Sequence, residues 1–254
     1  MKALAIIPAR YASTRFPAKP LALLQGKPII QHVYQRVAQT IPNLCVATDD
    51  PRILHTVEAF GGKAVMTSTH HQSGTDRCYE AYTLVGTEAD VVVNVQGDEP
   101  FIAPEQLHTL LACFNDPNTQ IATLVKPYSH TATLEQISNP NSPKVVVSTD
   151  HFALYFSRSI IPHLRGINPT EWPQKHTYLK HIGLYAYRPH TLKQITQLPP
   201  SPLEQCERLE QLRWLQAGLH IKVGYTQQET IGIDTPADLK LAEQYIKNLQ
   251  ANHA

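Results

Sequence analysis

Three cations lie close together near the start of this chain: Arg10, Arg15 and Lys19 fall within ten residues, directly behind the apolar run 3–7. We refer to residues 10–19 as the basic loop. The first 48 residues contain six Lys or Arg side chains and no Asp or Glu, although the 254-residue chain has a net charge of only +1. Solvated loops usually mix both signs of charge. A cationic loop behind a buried strand is instead typical of a phosphate-binding site in open α/β sheets.

Two carboxylates are candidates for the same site. Asp98 follows the very apolar run 91–95, and Asp234 precedes a predicted helix that begins at Pro236. A magnesium ion bound with a nucleotide usually takes one or two protein carboxylates, phosphate oxygens and waters. Asp98 could instead form a turn, and Asp234 could simply stabilise a helix N-terminus. Together with the basic loop, the pair predicts nucleotidyl transfer, which depends on charge stabilisation more than on a strong base.

Two helix starts carry capping patterns. Ser73 is followed three residues later by Asp76, and Thr235 is followed by Asp238 at the same spacing. Capping accounts for Asp76, Thr235 and Asp238. Gly74 would in addition let a ligand approach the backbone closely, so Ser73 and Gly74 remain binding candidates.

Missing motifs argue against other chemistries. The sequence has no Walker A, G-x-G-x-x-G or G-x-S-x-G motif, and none of its 13 histidines forms an H-x-x-x-H pair. The four cysteines form no C-x-x-C pair, which suits reduced thiols in a cytosol. No apolar run is long enough for a signal core or a membrane span. We therefore expect a cytoplasmic protein with no zinc site, no membrane insertion and, because the positive charge is local, no nucleic-acid partner.

The pattern of elements predicts an α/β fold. Predicted strands lie at 3–7, 43–48, 64–66, 91–95 and 121–125. Predicted helices lie between them, at 29–39, 52–60, 76–84 and 104–114. Continuous apolar strands suit a parallel sheet that is buried on both faces, and the alternation predicts a doubly wound sheet with helices on both faces. In such a sheet the loops at the strand carboxyl ends line the ligand crevice.

The second half has a different character. Segments 144–147 and 152–156 predict paired strands, and 181–187 alternates again. The stretch 162–176 is irregular and predicts a mobile or inserted loop. Start and stop signals predict one helix over 201–218. A strand at 221–223 and the helix from Pro236 complete the chain.

Several motifs together resemble the 3-deoxy-manno-octulosonate (Kdo) cytidylyltransferases, and the resemblance covers nearly the whole chain. The N-terminal IPARYASTRFPAKPL is shared in part with other sugar nucleotidyltransferases. The more specific motifs are HQSGTDR at 71–77, HIGLYAYR at 181–188 and SPLEQCERLEQL at 201–212. NVQGDEP at 94–100 and GIDTPADL at 232–239 also match.

The resemblance implies that CTP and Kdo give CMP-Kdo and pyrophosphate, the activation step for lipopolysaccharide core synthesis. It implies a magnesium-dependent cytoplasmic homodimer with a nucleotide-diphospho-sugar transferase-like fold, in which a smaller mixed α/β region serves dimerisation. The chain would be a single cytidylyltransferase domain, 1–254. Its nucleotide-binding part would be about 1–130 and 218–254, and its sugar-binding and dimerisation part about 131–217.

The resemblance also implies roles for individual residues. The triphosphate would be bound by Arg10, Arg15 and Lys19. The nucleoside would be surrounded by Ser73, Gly74, Arg77, Gln96 and Gly97. Magnesium would be held by Asp98 and Asp234, which with Arg10 and Lys19 form the expected catalytic set. The sugar acid would be framed by Arg158, His181, Tyr185, Glu204 and Gln211. Ala18 stands where many relatives have Gly, a difference that would matter only if its φ is positive.

Other functions stay open. The acid sugar could be an 8-amino Kdo analogue or a sialic acid, although sialate enzymes are not expected to carry the SPLEQ and HIGLYAYR motifs. A non-catalytic nucleotide-binding protein is a further alternative. It would be expected to have lost a cation of the basic loop or one of the two aspartates, and all five are present.

Overall fold

The computed structural model describes residues 1–12, 15–229 and 231–251, which fold into two units. The first unit comprises Met1–Leu107 and the C-terminal segment that carries the last helix. The second unit is His108–Glu229. The predicted functional division near residues 130 and 218 concerns binding roles and stays a prediction.

The strands of the described residues are β1 (Ala3–Ala9), β2 (Leu23–Leu24), β3 (Lys27–Pro28), β4 (Leu44–Thr48), β5 (Ala64–Met66), β6 (Val91–Asn94), β7 (Ile121–Pro127), β8 (Lys144–Val147), β9 (Ala153–Ser157), β10 (Leu179–Tyr187) and β11 (Ile221–Tyr225). The α-helices are α1 (Ile29–Ala38), α2 (Pro51–Ala59), α3 (Gly74–Val85), α4 (Pro104–Ala112), α5 (Leu134–Ser138), α6 (Trp172–Lys175), α7 (Pro189–Thr196), α8 (Pro202–Glu207), α9 (Gln211–Gln216) and α10 (Pro236–Ala251).

The first unit is organised around four parallel strands in the order β6-β1-β4-β5. Every residue of β4 and β6 is buried, as expected for strands covered on both faces. Because the strands are parallel, the loops after β1, β4 and β6 leave the same edge of the sheet. Those loops carry the basic loop, the acidic pair at 49–50 and Asp98. The predicted parallel arrangement is confirmed in this unit.

The second unit contains a mixed sheet. Strand β11 pairs parallel to β7, whereas β7 with β10, β10 with β8 and β8 with β9 are antiparallel pairs. In β10 the register shifts between Ile182 and Tyr185, a local irregularity next to Gly183. The predicted pairing of 144–147 with 152–156 is confirmed by β8 and β9.

The prediction of one helix over 201–218 is wrong. Helix α8 ends at Glu207, Arg208 has a left-handed φ of 53°, and α9 begins only at Gln211. Arg158 donates from Nε to the Glu207 carbonyl at 2.6 Å and from a second guanidinium nitrogen to the Arg208 carbonyl at 3.2 Å. These carbonyls therefore bond a side chain instead of the next helical turn. A tertiary contact outweighs the local helix signals.

The stretch 162–176 is irregular, as predicted, but it does not project as a free insertion. Trp172 and Tyr178 pack with Ile137 in a small hydrophobic cluster. The Trp172 indole donates to the Ile167 carbonyl at 3.0 Å, and the Tyr178 hydroxyl donates to the Pro162 carbonyl at 3.0 Å. The Pro and Gly content correctly indicated the absence of long elements, whereas the two aromatic anchors were not recognised.

The remaining predicted elements agree with the structure to within a few residues, including every predicted strand of the first half. Among the residues that the structure describes, no helix is both long enough and apolar enough to cross a membrane.

Candidate active site

A cavity of about 250 Å³ lies in the first unit, where the loops after β1 and β6 leave the sheet. Every residue predicted to bind the nucleotide or the metal lines it, namely Arg10, Arg15, Lys19, Ser73, Gly74, Arg77, Gln96, Gly97, Asp98 and Asp234. The cavity therefore brings together residues from four separate segments. Their individual roles remain predictions.

The two aspartates converge on one ammonium group. Lys19 Nζ lies 2.5 Å from an Asp98 carboxylate oxygen and 3.0 Å from one of Asp234. The Ile233 amide donates to the Asp98 carbonyl at 2.9 Å, which fixes the two acidic loops to each other. Burial lowers the pKa of Lys19, but the two carboxylates outweigh it and leave this pKa raised. Lys19 is therefore a charged ammonium between two carboxylates.

The donor set fits a hard cation. The carboxylates of Asp98 and Asp234 both reach the Lys19 ammonium, so the site offers two acidic ligands. Magnesium bound beside a nucleotide usually takes one or two protein carboxylates. Within the described residues there is no cluster of three or more His, Cys, Asp or Glu side chains that could hold a metal. A structural zinc site needs more ligands than this pair offers. The remaining ligands of a magnesium ion would be phosphate oxygens and water.

The basic loop folds back on its own start. The Ala18 amide donates to the Tyr11 carbonyl at 3.0 Å, and a 3-10 turn over Lys19–Leu21 follows directly. Ala18 has a left-handed φ of 57°, so the positive φ that favours glycine is present at this position. The fold of the loop thus aims Lys19 at the carboxylates.

A contact that sequence reasoning missed holds the start of this loop. The Arg52 guanidinium lies over the Tyr11 ring, 3.4 Å from its centroid. Asp50 caps α2 by accepting from the Arg52 amide at 2.9 Å, and it also binds the Arg52 guanidinium at 2.9 and 2.6 Å. The spacing of Asp50 and Arg52 at a helix start was the available signal, but nothing local pointed to Tyr11.

The start of α3 has the predicted cap. Ser73 Oγ accepts from the Asp76 amide at 3.1 Å, and the Asp76 carboxylate accepts from the Ser73 amide at 3.2 Å. Capping thus accounts for Asp76, as predicted. Ser73 and Gly74, at the start of this helix, line the cavity, and helix N-termini suit anions.

The two predicted glycines differ in whether the surrounding protein leaves space for a side chain. A Cβ on Gly97 would lie 2.9 Å from the Pro8 carbonyl oxygen, so a side chain there would collide with the backbone after β1. A Cβ on Gly74 would meet the Pro8 ring at an ordinary 3.5 Å. Packing alone therefore explains Gly97, whereas the protein leaves room for a side chain at Gly74.

Arg77 is buried and already bonded within the protein. Its guanidinium donates to Thr67 Oγ1 and to an Asp49 carboxylate oxygen, both at 2.6 Å. These bonds tie α3 to the ends of β4 and β5. The acidic partner Asp49 was not predicted, although it directly follows a buried strand in the sequence.

A second missed pair lies beside this one. His71, which lines the cavity, bonds through Nε2 to the Glu80 carboxylate. Glu80 also accepts from the Ser68 amide at 2.8 Å. Burial raises the pKa of Glu80, but these hydrogen bonds outweigh it and leave this pKa lowered. The ionised carboxylate orients the His71 ring at the cavity wall.

The predicted sugar-binding residues all lie in the second unit. His181 and Tyr185 are ring neighbours, with centroids 5.4 Å apart, and His181 Nε2 lies 3.1 Å from Thr123 Oγ1. Burial lowers the pKa of His181 to about 3 and raises that of Tyr185 well above its ordinary value. Both rings are therefore neutral at pH 7. Gln211 is buried, and its Nε2 has no hydrogen-bond partner within the described part of the chain.

Arg158 and Glu204 are held by structural contacts. Besides its bonds to the end of α8, Arg158 donates to the Pro140 carbonyl at 2.8 Å. Glu204 caps α8 through Ser201 and accepts from Arg213 at 2.9 Å. These bonds leave only part of each side chain available to a ligand.

A polar cavity of about 880 Å³ also lies in the second unit. Its charged residues are Lys126, Lys180 and Glu229, and both lysines pair with the one carboxylate. Lys126 and Lys180 are direct cross-strand neighbours on β7 and β10, an arrangement of like charges that is unfavourable alone. Glu229 compensates for it. Sequence reasoning did not identify this trio, because its members are far apart along the chain.

The cytidylyltransferase family model matches residues 4–223. The 3-deoxy-manno-octulosonate cytidylyltransferase of Parabacteroides distasonis is 61% identical over 249 residues, 98% of this chain and 99% of that protein. The enzyme of the same name from Phocaeicola vulgatus is 64% identical over 247 residues, 97% of this chain and 98% of that protein.

A solved structure agrees with these relatives. CMP:2-keto-3-deoxy-manno-octonic acid synthetase complexed with CTP superposes with a TM-score of 0.89 and 46% identity, covering 98% of this chain and 99% of that chain. The match confirms the predicted nucleotide-diphospho-sugar transferase-like fold. On the family model and the two relatives, this chain belongs to the cytidylyltransferase family, among the 3-deoxy-manno-octulosonate cytidylyltransferases.

Proposed function

We propose that this chain transfers the cytidylyl group of CTP to Kdo, giving CMP-Kdo and pyrophosphate for lipopolysaccharide core synthesis. The observation that carries the proposal is the cavity of the first unit, which gathers the three cations of the basic loop, a helix N-terminus and two carboxylates. The names of the relatives and the CTP complex of the solved relative support the same nucleotide and the same sugar acid.

The basic loop would carry most of the electrostatic work. A nucleoside triphosphate bears about four negative charges that repel an oxygen nucleophile, so preorganised cations lower the barrier. Arg10 and Arg15 are exposed at the cavity and can reach phosphate oxygens without leaving a buried position. Lys19 is the more buried cation and would lie deepest along the triphosphate.

In the transfer step the anomeric hydroxyl oxygen of Kdo forms a bond to the α-phosphorus. The bond from that phosphorus to the oxygen bridging to the β-phosphorus breaks, pyrophosphate leaves with the electron pair, and the hydroxyl proton passes to solvent. Asp98 and Asp234 would hold a magnesium ion, which when bound supplies positive charge to the phosphates and favours the deprotonated hydroxyl. Positioning and charge stabilisation suffice for this class of reaction.

The sugar side is proposed from the second unit. Neutral His181 would act there as a hydrogen-bonding group and not as a cation, because its pKa is about 3. The Arg158 guanidinium already donates to three backbone carbonyls of other residues. Arg158 would therefore offer the sugar carboxylate only its remaining donors. Glu204 and Gln211 would accept from or donate to sugar hydroxyls.

The proposal is tested by measuring pyrophosphate release, coupled to a pyrophosphatase, with CTP, UTP and ATP against several acid sugars. We expect turnover with CTP and Kdo. Preferred turnover with the 8-amino analogue or with a sialic acid would instead assign one of those sugars. CTP binding without pyrophosphate release in any combination would favour a non-catalytic nucleotide-binding protein.

Substitution of a predicted metal ligand tests the acidic pair. Asp98→Asn should lower pyrophosphate release by several orders of magnitude while leaving the fold intact, because one of two protein ligands is lost. Asp150→Asn, an equal change of charge in the turn between β8 and β9, is the matched control and should keep normal turnover. Near-normal activity of Asp98→Asn would refute the metal role.

A further inference from the structure

Lys19 occupies an unusual place between the two carboxylates. Its side chain is 15% exposed and contacts Asp98, 27% exposed, and Asp234, 47% exposed. The second cation on this pair, Arg15, touches Asp234 at 3.1 Å but is 66% exposed. Ion pairs between exposed groups contribute little, so Lys19 is the cation that matters for holding the acids together.

Lys19 and a divalent ion would compete for the same two carboxylates in this arrangement. Both Lys19 contacts are direct, at 2.5 and 3.0 Å, and they use one oxygen of each carboxylate. A divalent ion bound to those oxygens would lie within a few ångström of the ammonium, and the like charges would repel. This repulsion favours departure of the ammonium when the divalent ion binds.

The lysine side chain is suited to leaving. It has a flexible four-carbon stem and carries a compact point charge. Its backbone is fixed by the turn over Lys19–Leu21 and by buried Pro20, so the ammonium can move without rearranging the loop. The cavity that the ammonium adjoins is the one into which Arg10 and Arg15 also face. An anion there offers the displaced ammonium a new partner.

We propose that Lys19 is an exchangeable counter-ion, which keeps Asp98 and Asp234 together in the free protein and must leave them before a divalent cation binds. The inference rests on the proposed function, which assigns the cation to these two residues. It adds that cation and nucleotide bind cooperatively. A polyphosphate accepts the ammonium and so frees the carboxylates, and by linkage the cation favours the polyphosphate equally.

The experiment measures Mn²⁺ binding to the full-length protein, without nucleotide or sugar, from the electron paramagnetic resonance of free Mn²⁺. The variants are Lys19→Met, which removes the competing charge, and Lys27→Met. Lys27 lies in β3, outside the cavity, and its substitution changes the net charge equally. We expect Lys19→Met to bind Mn²⁺ about tenfold more tightly than wild type, and Lys27→Met to match wild type.

Two results would overturn the exchange: a Lys19→Met affinity no tighter than wild type, or an equal gain in Lys27→Met. Adding Asp98→Asn to Lys19→Met should abolish the gain, which assigns the Mn²⁺ to the acidic pair. If no variant binds Mn²⁺ at this pair, the metal assignment of the proposed function fails as well. Equal affinities that depend on Asp98 would refute the exchange alone.

A wild-type measurement keeps the inference testable if Lys19→Met does not fold. The acetylation rate of each lysine is followed by mass spectrometry along the Mn²⁺ titration. We expect Lys19 to react slowly in the free protein and faster as the site fills, because its ammonium is released, while Lys27 keeps a constant rate. A constant rate for Lys19 over the range in which Mn²⁺ binds would contradict the exchange.

Discussion

At the scale of single residues, the basic loop contains a strained backbone position. Ala18 has φ 57° and ψ 19°, a left-handed conformation that L-residues with a side chain adopt at a cost. The same residue is the N-cap of the turn that presents Lys19. The strained backbone conformation therefore lies where the loop turns toward the two carboxylates.

Replacing this alanine by glycine should stabilise the protein. Ala18→Gly is expected to raise the free energy of unfolding by about 1 kcal/mol, because glycine adopts a positive φ without steric cost. Urea denaturation measures the change. Ala22→Gly is the matched control, since Ala22 has an ordinary φ of −60°. There glycine should be neutral or destabilising, and equal effects at both positions would contradict the strain at Ala18.

His181 should make stability depend on pH. Its pKa in the folded protein is lowered to about 3, so it stays neutral, whereas in the unfolded chain it takes up a proton below about pH 6.5. The contribution of neutral His181 to the free energy of unfolding is therefore complete above about pH 6.5. As the pH falls toward 3 this contribution is lost, by up to about 1.4 kcal/mol per pH unit.

The measurement compares the pH dependence of the unfolding free energy in wild type and His181→Gln between pH 7 and 5. The variant should show a flatter dependence, because the residue that takes up the proton on unfolding is gone. The same pH dependence in wild type and His181→Gln would contradict the uptake of a proton by His181 on unfolding.

At the scale of elements, the basic loop depends on a helix that is not adjacent to it in sequence. Helix α2 presents Arg52, whose guanidinium covers the Tyr11 ring and is oriented by Asp50. The hydrogen bond from the Arg52 guanidinium outweighs burial and lowers the pKa of Asp50, so this carboxyl stays ionised. The helix cap and the loop anchor are thus one arrangement.

Loss of this anchor should weaken nucleotide binding. Arg52→Leu is expected to raise the dissociation constant of CTP severalfold, since the loop that bears Arg10 must then be ordered on binding. Calorimetric titration with CTP measures it. Tyr11→Phe keeps an aromatic face for the guanidinium and should bind almost normally. Arg36→Leu is the charge-matched control, because Arg36 lies near Phe101 and outside the cavity. Weakening by Arg36→Leu to the same degree would contradict an anchoring role.

At the scale of the whole molecule, charge is segregated although the total is near neutral. The surplus of six cations before Asp49 is balanced by acidic residues later in the chain. Three of these six cations, Arg10, Arg15 and Lys19, line the cavity, where they attract an anionic substrate without making the protein generally basic. This local positive charge is consistent with a small anionic ligand.

The predicted homodimer is a property of this scale. The resemblance to the Kdo cytidylyltransferases implies a homodimer. We therefore expect sedimentation equilibrium to give twice the mass of the chain at micromolar concentration. A concentration series from nanomolar upward should show whether the mass falls toward that of one chain. A single-chain mass throughout the micromolar range would contradict the dimer.

Sequence patterns and the family resemblance predicted strand β1 and strands β4 to β11, helices α1 to α4 and α10, and ten of the residues that line the cavity. Apolar continuity in 91–95 and the unbalanced charge of the basic loop are local properties, readable without knowing what packs against them. Tertiary structure alone decided that Lys19 lies between Asp98 and Asp234, that the helix over 201–218 breaks at Arg208, and that Asp49 holds Arg77. Each of these depends on contacts between segments far apart in the chain. Local propensity carries no information about such partners, and their hydrogen bonds and charges outweigh it once the chain has folded.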